Sequence, residues 1–159
     1  HPDDMDRFAE LNVIASMQPS HATSDMPWAE ARLGPERTTW AYAWRELTER
    51  GATLAFGSDF PVEAVDPAIG LWAAWTRQDL EGNPAGGWYP DQKLTFDEAI
   101  AAFTTGAATA VMAPLGTLEP GAPADISLWS MSNLHGQLRL RATATIVEGA
   151  LVWHELSGG

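Results

Sequence analysis

The chain has 159 residues, nine Lys+Arg against 21 Asp+Glu for a formal charge of −12, and an apolar fraction of 45%. That composition suits one modest domain with a core and argues against disorder. No basic stripe exists, so nucleic acid is not an expected partner, and no apolar run reaches the ~20 residues of a membrane span. Cysteine is absent, which removes disulfides and thiolate metal ligands and fits a cytoplasmic protein. The first residues are His1-Pro2-Asp3-Asp4, with no leader pattern, so the chain reads as a fragment, a processed product or an incompletely recorded protein.

Pro2 to Leu11 predicts a short helix, with Pro2 at its first position and Phe8 and Leu11 as its apolar face. The β-branched run Val13 to Met17, ended by Pro19, predicts a buried strand. Ser20 to Arg37, punctuated by Pro27 and Gly34-Pro35, reads as a loop with a helical turn. Thr38 or Thr39 can cap a helix carrying Trp40, Trp44 and Leu47, and Gly51 is a natural stop. Thr53 to Gly57 predicts a second buried strand. Helix, strand, helix, strand implies parallel strands joined by helical crossovers, with Asp59 at the C-terminal end of its strand.

A long loop follows, holding a short helix over 69–80. Thr95 and Glu98 have capping-box spacing and open a helix reaching about Val111, with Phe96, Ile100, Phe103 and Ala107 at core spacing. The pattern changes after Pro114: a turn-rich hinge over 116–121 leads to short strands near 126–129, 143–147 and 150–153. Glu148-Gly149 is a two-residue hairpin between the last two. Eight tryptophans are many for this length; packing under long loops or a substrate pocket wall would each use them.

Asp59 is the sharpest chemical candidate. A carboxylate after a buried strand can bind a divalent metal and take a proton from its water, or can serve only as a turn or capping aspartate. His21, just past the first strand, can meet the same face as a metal ligand, as a substrate contact, or as a loop histidine bonded to backbone. His1, His135 and His154 carry no assigned role. No His-x-His, Glu-x-x-His or phosphate-cradling glycine loop is present, and Ser58 lacks the second glycine of a nucleophile elbow.

Leu54 to Glu63, with Gly57-Ser58-Asp59-Phe60-Pro61 at its centre, resembles the last barrel strand of the amidohydrolase superfamily. The closest branch is amidohydrolase family 3, the YtcJ-like group with the N-substituted formamide deformylases. Four further stretches agree in order: His1 to Asp4 with Arg7-Phe8, Ile14 to His21, Thr76 to Asp79, and Leu94-Thr95 with Glu98-Ala99. Gly116 to Ile126 is similar to the family's return from barrel to sandwich, with Pro123 where the family usually has lysine.

The resemblance implies an α/β fold: the last two parallel strands and helices of a TIM-like metal-dependent hydrolase barrel over 1–114, and antiparallel strands of a composite β-sandwich over 115–159. It implies a divalent metal, zinc, in the full-length enzyme, with Asp59 as metal ligand and catalytic proton shuttle. His21 and Arg77 become substrate-binding candidates, His1 falls just after the sixth strand's histidine motif, and the remaining ligands lie upstream. The implied reaction is hydrolysis of an amide-type C–N bond in a small molecule by metal-activated water. The partner is then the N-terminal part of the same enzyme, and this segment alone would be inactive. A non-catalytic fragment or binding module with a degenerate hydrolase fold is the competing reading. On either, two strands cannot close a barrel, and the isolated segment is expected to be poorly stable or oligomeric.

Overall fold

A computed structural model of the chain describes residues 1–134 and 137–155. A 3₁₀ turn (Pro2–Asp4) leads into α1 (Asp6–Glu10), β1 (Ala15–Met17), α2 (Pro19–Leu33), α3 (Pro35–Thr38), α4 (Trp44–Glu49) and β2 (Leu54–Phe56). Next come α5 (Pro67–Thr76), α6 (Phe96–Ala101), a π-helical turn (Ala102–Gly106) and α7 (Ala107–Ala110). The chain closes with β3 (Ile126–Leu134), β4 (Gln137–Val147) and β5 (Ala150–His154). No helix among the described residues is long and apolar enough to cross a membrane.

β1 and β2 pair in parallel, Ala15 opposite Leu54, Ser16 opposite Ala55 and Met17 opposite Phe56. Bonds from Ala15 N–H to the Thr53 carbonyl (2.9 Å) and from Gly57 N–H to the Met17 carbonyl (3.3 Å) extend the pairing at each end. Every residue of β2 is buried, as an apolar run inside a parallel sheet should be. Behind the strands lies the main core: the fully buried Trp44 meets Phe56 edge-on at 5.8 Å, and Phe56 meets Phe103 at 5.5 Å. Gly106 brings the π-helical turn against β2; a Cβ there would lie 2.0 Å from the Leu54 carbonyl oxygen.

Several local expectations are met. Thr95 accepts from Glu98 N–H while Glu98 accepts from Thr95 N–H, the complete capping box. α4 ends as expected at Gly51, whose φ is +83°. Gly51 N–H reaches the Thr48 carbonyl and Ala52 N–H the Leu47 carbonyl, a Schellman pair. Glu148 and Gly149, at φ 51° and 78°, make the tight hairpin between β4 and β5.

Three expectations need correction. Ser20 to Arg37, read as a loop with a helical turn, is mostly helix: α2 runs from Pro19 to Leu33 with Pro27 inside it. Pro19 at its first turn and the buried Pro19, Ser20, Ala22 and Ala29 anchor α2, which lies against α5, and this packing offsets the ladder bond that Pro27 removes. Neither Thr38 nor Thr39 caps α4, because Thr38 is buried at the end of α3 with its hydroxyl on the Gly34 carbonyl, and α4 starts only after Ala43. The helix expected over 69–80 stops at Thr76, where Arg77 takes a left-handed backbone with φ 58°.

The second sheet is antiparallel in the order β3–β4–β5, and β3 and β4 are longer than the sequence suggested because the pairing runs on to Leu134 and Gln137. β5 is exposed along its whole length, and Leu128, Val147, Leu151, Val152 and Trp153 all reach solvent. The sheet touches the segment after α5 through Arg139, whose Nη2 donates to the Leu80 carbonyl at 2.7 Å. His135 lies outside the described residues.

Candidate active site

Both candidate side chains arise where a parallel strand ends. β2 stops at Phe56, and three residues on Asp59 adopts φ 57°, a left-handed backbone that Asp tolerates better than most residues. A local turn holds it there: Val62 N–H donates to the Asp59 carbonyl at 2.8 Å, and Phe60 N–H to the Ser58 hydroxyl at 3.3 Å. β1 stops at Met17, and α2 begins two residues later, so His21 sits in the first turns of that helix.

The two meet. His21 Nε2 lies 3.7 Å from Asp59 Oδ2, with the Asp59 side chain half exposed and that of His21 25% exposed. Nε2 itself is buried and has no hydrogen-bond partner. A buried imidazole nitrogen without a partner is costly unless a bound group satisfies it. A carboxylate oxygen and a free imidazole nitrogen side by side are donors that suit a divalent cation or a polar substrate atom. They fit such a cation in part only, since no group of three or more metal-binding side chains exists among the described residues.

Arg77, expected to face substrate, is fully buried. Its Nε donates to the Trp88 carbonyl at 2.8 Å and its Nη1 to the Tyr42 carbonyl at 2.9 Å. The guanidinium lies 4.5 Å from the Trp44 ring and 5.1 Å from that of Trp88. Burial pulls its pKa down to about 10. Sequence reasoning missed Tyr42 and Asp25, which are joined by a hydrogen bond from the Tyr42 hydroxyl to Asp25 Oδ2. Asp25 falls in the segment read as a loop and Tyr42 in the helix expected around Trp40 to Leu47, and 17 residues separate them, so no spacing signal was available. His1 is exposed beside Asp3, and His154 is exposed with its Nδ1 near the Glu155 carbonyl.

The family model described as the amidohydrolase family matches residues 1–153. The chain belongs to the amidohydrolase family. It is 29% identical over 160 residues to the putative amidohydrolase YtcJ of Bacillus subtilis, covering 95% of this chain and 30% of that protein. With the N-substituted formamide deformylase of Arthrobacter pascens it shares 29% identity over 113 residues, 67% of this chain and 20% of the relative. A solved structure of an uncharacterized metal-dependent hydrolase from Pyrococcus horikoshii superposes with TM-score 0.69 at 34% identity, over 78% of this chain and 25% of that one. The chain thus spans under a third of the length of each of these three proteins.

Proposed function

We propose that the chain is the C-terminal portion of a metal-dependent amidohydrolase that cleaves an amide-type C–N bond in a small molecule. In this reading 1–114 complete a TIM-like barrel begun upstream and 115–159 add strands to a composite sandwich. The observation that carries it is the Asp59 carboxylate beyond a buried parallel strand, apposed to the unpartnered His21 Nε2 at 3.7 Å. Family membership and the likeness to a metal-dependent hydrolase support it.

Asp59, with further ligands from the N-terminal part of the same enzyme, would hold a divalent cation such as zinc, which would supply a water acidified to a pKa of about 7. Asp59 takes a proton from the attacking water as the water oxygen bonds to the carbonyl carbon. It then delivers that proton to the leaving nitrogen as the C–N bond breaks. His21 offers Nε2 to a polar atom of the substrate. The described residues of this segment alone hold too few ligands for turnover.

The test is Asp59→Asn in the intact enzyme. Shape is kept while the base is lost, so kcat should fall by at least ~10²-fold, the scale of general-base catalysis. Near wild-type turnover at full metal content would make Asp59 a turn aspartate and end the reading.

A further inference from the structure

No hydrogen bond anchors His21 Nε2, so its aim at Asp59 depends on where the first turns of α2 are held. Asp25 lies one helical turn after His21, on the same face of α2. Its Oδ2 accepts the Tyr42 hydroxyl hydrogen. Burial first, and then the Asp25 carboxylate, raise the Tyr42 phenol well above its ordinary pKa, so it remains a donor at any working pH.

Tyr42 is itself held in place. Its φ is 54°, a left-handed backbone that is costly for an aromatic residue and persists only where the surroundings impose it. Arg77 does so: its Nη1 takes the Tyr42 carbonyl at 2.9 Å, and its Nε takes the Trp88 carbonyl at 2.8 Å. The Tyr42 ring leans on Trp88 at 5.9 Å.

We propose that Tyr42 is a positioning residue: with its carbonyl held by Arg77 and its hydroxyl on Asp25, it locks the start of α2 and thereby aims His21 at Asp59. The proposal rests on the reading of His21 and Asp59 given above. It adds a half-buried device, anchored on the face of α2 that carries His21, that sets substrate affinity without touching substrate.

The experiment uses Tyr42→Phe in the intact enzyme, which keeps the ring, the Trp88 contact and the backbone bond to Arg77. KM should rise about five- to tenfold, the scale of one hydrogen bond, with kcat within about twofold and metal content unchanged. In a His21→Ala background the same change should add less than about twofold, because the residue it positions is gone. Asp25→Asn, which keeps an acceptor, should stay near wild type, whereas Asp25→Ala should reproduce Tyr42→Phe. An equal KM penalty in both His21 backgrounds, a silent Tyr42→Phe, or an Asp25→Asn as damaging as Asp25→Ala would each overturn the proposal. If Asp59→Asn meanwhile lowers kcat by at least ~10²-fold as expected, only the positioning role has failed and the hydrolase reading stands.

Discussion

Arg77 joins two loops that no strand connects. Its planar fork spans the Tyr42 and Trp88 carbonyls while the guanidinium lies against two indole rings. A lysine ammonium cannot reach both carbonyls in that geometry, so Arg77→Lys should cost roughly 2–3 kcal/mol, the scale of hydrogen bonds to a charged group plus a vacated buried site. Denaturant midpoints of the intact protein check this, and an unchanged midpoint would show the brace to be redundant. His21→Ala acts at the other end of the same arrangement: KM should rise while metal content, measured by elemental analysis, stays at the wild-type level. The sequence exposed Asp59 and His21 because each follows an apolar strand, and the C-terminal ends of parallel strands are where α/β proteins gather chemistry. It could not reveal the brace, since the Tyr42 hydroxyl and Asp25 meet only after α2 has folded across residues that look like loop.

At the scale of elements, α6 shows local and tertiary signals agreeing. Glu98 closes the capping box and also receives both arms of Arg45, at 2.8 and 2.5 Å, which ties α6 to α4. The Arg45 hydrogen bonds lower its pKa from 4.5 to about 2. A folded pKa below the unfolded one means that the stabilisation is present above pH ~4.5 and is lost as pH falls toward 2. Glu98 is partly solvated, so the contribution is discounted to about 1–2 kcal/mol. Glu98→Gln should therefore lower the melting temperature near neutral pH and flatten the acid limb between pH 4.5 and 2; parallel limbs in pH-dependent melts would refute the assignment. Gly106→Ala forces a methyl against the Leu54 carbonyl and should destabilise by roughly 1–3 kcal/mol through overpacking, read as a fall in thermal midpoint. The capping box, the Gly51 stop and the Glu148-Gly149 hairpin were legible because each is a local rule written in two to four residues. α2 was not: Pro27 and its Ser, Thr and Asp content mimic a loop, and the apolar contacts that stabilise it are with α5, more than thirty residues away.

At the scale of the whole molecule, the two sheets leave different surfaces open. β1 has β2 on one side and no other strand partner among the described residues, so a row of backbone donors and acceptors lies free along its outer edge. The groove beside it, about 540 Å³, is lined by Met5, Phe8, Ile14, Met17 and Trp40 and reaches α1 and α4. The second sheet is bare as well, with Leu151 and Val152 each 58% exposed on β5 and Trp153 beside them. Apolar strands of that kind in an isolated three-stranded sheet favour pairing with another chain. The −12 net charge opposes association, yet at physiological ionic strength it is screened beyond about 8 Å and does not guard a strand edge at contact distance. The 159 residues expressed alone should therefore form oligomers or aggregates and unfold without a sharp transition. Sedimentation velocity and a thermal melt decide it, and a monomer with one cooperative transition would refute the claim. On the proposed reading, supplying the upstream part of the barrel in trans should suppress the association, because its strands would occupy the open β1 edge.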